Sequence, residues 1–346
     1  MIDLDAGSNG GASTGPCTAG GWQCKIDECQ GQSKTTVRAK VYDPAGLIPL
    51  YDVAVYVPNA TVAPIDDGAT CETCATPVSG QPIASALTDA QGEFVLEDVP
   101  TGSDVPLVIQ IGKWRRQVTL PEVLPCQENA FDDPATFRLP RNQSEGHLPK
   151  IAMTTGEADS LECLLMRIGV DQAEFTNPDG PGRVNLFQDP CINSDCDTAD
   201  TSYADGSGTF PVAATTLYNS AENLMKYDII LMSCRGSQSA GRDQTSANKQ
   251  ALKSYVDNGG RVFLEHYGFS WLRGGNESPA IEDARKYPAT PFPVVATWDL
   301  PTGDNIDVGD SNPVDYTIDT SFPKGNDFAD WLVNVGASPG GKGVIT

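Results

Sequence analysis

A chain of 346 residues is long enough for about two domains of ordinary size, and its hydrophobic content of 39% supports packed cores. Its 34 glycines and 26 prolines favour many turns over long helices. The formal net charge of −23 is spread over both halves without a clustered Lys and Arg face, which excludes nucleic acid as a partner, and no apolar run is long enough to span a bilayer.

The first 34 residues read as a flexible tether carrying cysteines. Asp5 to Gly21 is rich in Gly, Ser and Thr and too poor in large side chains to pack. Met1-Ile2-Asp3-Leu4-Asp5 looks like the start of a mature segment from which a secretion signal has been removed, with lipid tethering before processing left open. Short strands are expected at 35–42, 53–57, 84–88, 93–97, 105–111 and 114–120, separated by turn signals, the pattern of a β-sandwich over 35–145. Residues 58–82 form a long loop that a local Cys71–Cys74 bridge would staple. Lys113-Trp114-Arg115-Arg116 is the one dense basic cluster, read either as a solvated hairpin face or as a small anion patch. Residues 121–148, with prolines at 121, 125, 134 and 140, read as a strap between domains.

Beyond the strap the periodicity changes. Lys150 to Gly156 reads as a buried strand ending in a loop. Leu161, Leu164, Leu165 and Ile168 follow at helical spacing. Residues 177–210 are loop-like. Tyr227 to Cys234 is a continuous apolar strand of the parallel-sheet type, Ser246 to Asn258 a helix closed by Gly259-Gly260, and Arg261 to His266 the next strand. Strands alternating with helices predict an α/β domain with a parallel core over 146–346. Gly343-Val344-Ile345-Thr346 reads as entry into a further strand, an expectation that the native chain continues.

Two resemblances refine this. Val37 to Gly46, Pro49 to Val57 and Thr88-Asp89-Ala90-Gln91-Gly92-Glu93-Phe94-Val95-Leu96 together resemble the carboxypeptidase regulatory-like (transthyretin-like) β-sandwich, usually an accessory or surface module. Tyr227-Asp228-Ile229-Ile230-Leu231, the helix after it and Gly259-Gly260-Arg261-Val262-Phe263-Leu264-Glu265-His266-Tyr267-Gly268 resemble the flavodoxin-like, class I glutamine amidotransferase-like sheet. The combination is similar to uncharacterised bacterial envelope proteins. The amidotransferase resemblance implies a Cys nucleophile where His266 stands, and no histidine follows it, so that chemistry is not expected here.

His266 remains the best site candidate, at the carboxyl end of a parallel strand where open α/β sheets place ligands. Glu265 and Tyr267 flank it, and Asp228 or Ser233 would share its crevice. With only His147 and His266 present, a multi-histidine zinc site is excluded. Cys17, Cys24, Cys29, Cys71, Cys74 and Cys126 precede residue 130; Cys163, Cys191, Cys196 and Cys234 follow 160. The even split predicts disulfides closed within each half and an oxidising compartment. A bridge between Cys163 and Cys234 is favoured over a catalytic Cys234 thiol. The rival in the first half is zinc on Cys24, Cys29, Cys71 and Cys74. No cofactor motif is present; the one metal candidate is calcium, at Asp195, Asp197 and Asp200 or at Asp304, Asp307 and Asp310. These readings predict a secreted or cell-surface, non-catalytic binding or structural protein, with a surface glycan, another protein or a second copy as partner. The alternative is an extracellular hydrolase with its site near His266.

Overall fold

The computed structural model describes residues 21–31, 33–71, 78–156, 161–189, 212–234, 244–272, 290–292 and 316–345. The first half is β-rich: β1 (Thr36–Lys40), β2 (Ala54–Pro58), β3 (Pro82–Leu87), β4 (Glu93–Glu97), β5 (Gly102–Ile111), β6 (Trp114–Val123), β7 (Glu128–Ala130) and β8 (Gly146–His147). They form a three-stranded sheet, β4-β1-β7, and a five-stranded one, β3-β2-β5-β6-β8. All pairings are antiparallel except β1 with β7. Alternation puts Val37, Ala39, Phe94 and Leu96 of one sheet against Val55, Val57, Leu107 and Ile109 of the other in a single core. The turn that opens β4 forms because Asp89 Oδ1 accepts from Gln91 N (2.9 Å) and Glu93 N (2.8 Å).

The prolines of residues 121–148 do not make a free strap. The segment supplies β7 beside β1 and β8 beside β6, and it places Phe137 and Leu139 in the core. Pro125, Pro134 and Pro140 fall between these short edge strands and not within them.

The α/β half follows: β9 (Ile151–Thr154), α1 (Leu161–Arg167), β10 (Phe175–Thr176), β11 (Val184–Phe187), α2 (Thr215–Tyr218), α3 (Ala221–Leu224), β12 (Ile229–Met232), α4 (Ser246–Asp257) and β13 (Arg261–Leu264). The five strands form an all-parallel sheet in the order β10-β11-β9-β12-β13. One face carries Ala152, Phe187, Ile230 and Met232 and packs under α2, α3 and α4. The other carries Ile151, Met153, Val184 and Leu186 and packs with Leu165 of α1. Helix α4 starts where Thr245 Oγ1 accepts from Asn248 N (3.2 Å) and stops at Gly259, whose φ is +92°.

The last described stretch holds β14 (Tyr316–Thr317), α5 (Pro323–Asn334) and β15 (Val344–Ile345), with β14 and β15 paired antiparallel. Helix α5 docks on the β-rich half. Tyr51 Oη donates to Asp327 (2.7 Å), Trp331 Nε1 to Pro49 O (2.8 Å), and Lys324 Nζ to Asp52 (2.6 Å). Among the described residues, no helix is long and apolar enough to cross a membrane.

Candidate functional site

The chain leaves β9 towards β10 and β11 on one side and returns to build β12 and β13 on the other. The order therefore reverses between the carboxyl ends of β9 and β12, the place where open α/β sheets leave a crevice for ligands. Thr154 ends β9, Met232 ends β12, and Ser233 follows it. The chain after β9 passes so close that a Cβ on Gly156 would lie 2.2 Å from Cys234 O. Asp189, Tyr218, Gln244, Gly268 and Trp271 complete the wall around a cavity of about 10 Å³, the size of one water. Beside it, Tyr218 and Trp271 meet edge to face at 4.9 Å. Trp271 Nε1 donates to the Gln244 side-chain oxygen (3.1 Å), and the buried Lys249 Nζ donates to Ser270 O (2.8 Å).

The sequence candidates fall unevenly around this point. Strand β13 stops at Leu264, so His266 is not its last residue; it opens a 3-10 helix, His266–Trp271. Glu265 N donates to Met232 O (3.4 Å), which sets Glu265 beside β12. The side chains of His266 and Tyr267 lie outside the described residues. Asp228 is not part of this crevice. It precedes β12, at the amino end of the sheet, while Ser233 follows β12 at the carboxyl end.

At that amino end lies a buried ion pair that sequence reasoning missed. Lys113 Nζ, in the hairpin between β5 and β6, donates to Asp228 Oδ1 (2.7 Å), Gly68 O (2.6 Å) and Asp66 O (2.9 Å). Its three N–H groups are all used, which is what lets an ammonium stand at 2% side-chain exposure against a carboxylate at 1%. Asp228 Oδ2 accepts from Lys150 N (2.5 Å). Beside the pair, Arg183 holds Asp67 through two bonds (2.6 and 2.9 Å), and this lowers the Asp67 pKa. His147 bridges Lys113 O (2.6 Å) and Asp67 (3.6 Å). The basic cluster is thus neither an anion patch nor a solvated face. Lys113 is paired, Trp114 Nε1 donates to Pro140 O (3.0 Å), and Arg116 donates to Ala135 O (2.8 Å).

The long loop after β2 closes the same joint. A Cβ on Gly68 would lie 2.3 Å from Met225 O, and one on Gly259 2.3 Å from Thr70 O. Further along the interface, Glu174, 4% exposed, accepts from Gln143 N (2.8 Å) and Nε2 (2.9 Å) and from Arg183 N (3.1 Å). The sequence signal for the joint was Asp228 itself, a charge directly abutting a continuous apolar strand.

The cysteines correct two expectations. Cys29 and Cys126 are bridged, Cα to Cα 5.4 Å, so Cys29 is not available to a zinc site with Cys24, Cys71 and Cys74. Cys163 and Cys234 are not joined. Alternation continues the parity of Ile230 and Met232 to Cys234, on the face under α2 to α4, whereas Cys163 rides on α1 against the opposite face. Cys17, Cys74, Cys191 and Cys196 lie outside the described residues, as do Asp195, Asp197, Asp200, Asp304, Asp307 and Asp310. Among the described residues no group of three or more His, Cys, Asp or Glu could hold a metal ion.

No protein-family model matches the chain, and no curated protein matches it. Two solved structures match in part, both chains of type II cohesin–X-dockerin complexes from Acetivibrio cellulolyticus. One is an N-terminal interface mutant at 14% identity and a TM-score of 0.21, covering 40% of this chain and 85% of its own. The other is a C-terminal interface mutant at 16% and 0.22, covering 39% and 86%. At these TM-scores the likeness does not extend to the overall fold.

Proposed function

We propose that the protein is a secreted or cell-surface binding or structural protein. In this reading a transthyretin-like sandwich (35–145) carries an amidotransferase-like α/β domain (146–346) as a scaffold, following a flexible tether (1–34). The observation that carries it is the Cys29–Cys126 bridge, which closes a span of 97 residues and belongs to an oxidising compartment. The buried joint supports a scaffold role, since it fixes the β-rich half against the parallel sheet. The partner is a surface glycan, another protein or a second copy of the chain, and calcium at the two acidic loops remains the metal to test.

A second reading is an extracellular hydrolase. It is favoured by Ser233 and Asp189 meeting one cavity at the switch point, close to the turn that carries Glu265 and His266. Ester, amide and glutamine hydrolysis by the purified oxidised protein tests the choice, with Ser233→Ala, Cys234→Ala and His266→Ala alongside. The scaffold reading expects no turnover above buffer. Turnover that vanishes in one of these variants, with its fold intact, overturns it.

A further inference from the structure

We propose that Lys113 and Asp228 form a self-modification site: Lys113 Nζ condenses with the Asp228 carboxyl group to an isopeptide bond that ties the β-rich half to the parallel sheet. The ion pair at the joint is the arrangement of the reactants. Nζ stands 2.7 Å from Asp228 Oδ1, with the two side chains at 2% and 1% exposure. Amine and carboxyl group are thus held in contact, which replaces a bimolecular encounter. Burial acts in the same direction. In water, hydration of the ammonium and the carboxylate opposes condensation. Here both ions have lost that hydration, and an amide removes both charges. Burial also singles the pair out. Lys34–Asp98 (2.7 Å), Lys324–Asp52 (2.6 Å) and Lys253–Asp257 (2.5 Å) are as close, but each keeps at least one member well exposed to water.

The atoms balance without a co-reactant. One Nζ proton passes along the 2.7 Å bond to Oδ1, leaving an amine and a carboxylic acid. The Nζ lone pair attacks Cγ, and the carbonyl π pair moves onto Oδ2. Donors already face that oxygen: Lys150 N–H at 2.5 Å and the Arg183 guanidinium at 3.9 Å, as an oxyanion requires. A second Nζ proton goes to Oδ1, the Cγ–Oδ1 bond breaks, and Oδ1 leaves as water. The third proton stays as the amide N–H and keeps the buried Gly68 O as its acceptor. Asp66 is exposed, so water replaces the bond its carbonyl loses. The product joins positions 115 apart, from the β5–β6 hairpin to the residue before β12, and it adds a covalent tie between the halves to the scaffold reading without depending on it.

Mass spectrometry of the purified full chain, folded and then denatured and reduced, tests the bond. The expected intact mass is lower than that of the sequence by one water. Tryptic mapping then locates the loss: Lys113 is not cleaved, and its peptide is joined to the one running from Tyr227 to Arg235. Lys113→Arg, whose guanidinium does not condense, and Asp228→Ala are expected at the full masses of their own sequences. The result for the unmodified protein requires neither variant to fold. A full sequence mass in the unmodified protein, cleavage at Lys113 with a linear peptide from Tyr227 to Arg235, a water loss mapped to another residue pair, or a water loss that persists in Lys113→Arg overturns the assignment.

Discussion

Among the described ion pairs, Lys113 and Asp228 are both buried, and each satisfies the other. Removing one member leaves an uncompensated charge. Asp228→Ala is therefore expected to cost about 3–5 kcal/mol in chemical denaturation. The double variant Lys113→Met with Asp228→Leu recovers only part of that. Lys150 N and the carbonyls of Asp66 and Gly68 still lose their partners. A double variant no better than Asp228→Ala would show that the charge is not the main term. Glu145 gives a pH handle. Arg138 holds its pKa down to about 2, from an ordinary 4.5, through bonds of 2.7 and 2.8 Å. A depressed acid contributes stability that is present above its unfolded pKa and is lost as pH falls through the folded value. Stability should thus decline between about pH 4.5 and 2, and less steeply in Arg138→Gln; parallel curves for the two proteins would remove Glu145 from the account. Neither pair was legible in the chain as a pair. Lys113 and Asp228 are separated by 115 positions, and nothing in local spacing links a hairpin lysine to a strand-end aspartate.

The elements that declared themselves in the sequence are those with a long, clean period. Alternation placed β1, β2 and β4 to β6 to within three residues at each end, and helical spacing with a Gly-Gly stop placed α4. Strand β11 did not show: four buried residues follow a run of Pro and Gly, a context that reads as loop although β9 and β10 flank it in the sheet. The strap failed for a related reason. Its prolines argued against strands, yet the strands it makes are three and two residues long and sit at edges. Two predictions belong to this scale. Opening the Cys29–Cys126 bridge by Cys29→Ser with Cys126→Ser should cost about 2–5 kcal/mol, read from urea unfolding; an unchanged midpoint would mean that the span is already held by packing. Gly68→Ala should destabilise by about 1–3 kcal/mol, because a Cβ there meets Met225 O at 2.3 Å and φ is +86°. If it is neutral, the loop at 66–70 does not press on the turn before β12.

Taken whole, the molecule has two kinds of sheet tied into one body. The β-rich core and the parallel sheet meet at a joint of charges with matched partners, and α5 crosses back to clasp the turn at 49–52. The strand-end site read from His266 depends on side chains outside the described residues, whereas the crevice that the topology does assemble, around Thr154 and Ser233, lies at the end of the neighbouring strands. Scanning calorimetry of the oxidised protein, with Asp228→Ala beside it, measures the central claim that the two halves act as one unit. The account predicts one cooperative transition for the unmodified protein and two separated transitions for Asp228→Ala; two independent transitions in the unmodified protein would contradict it.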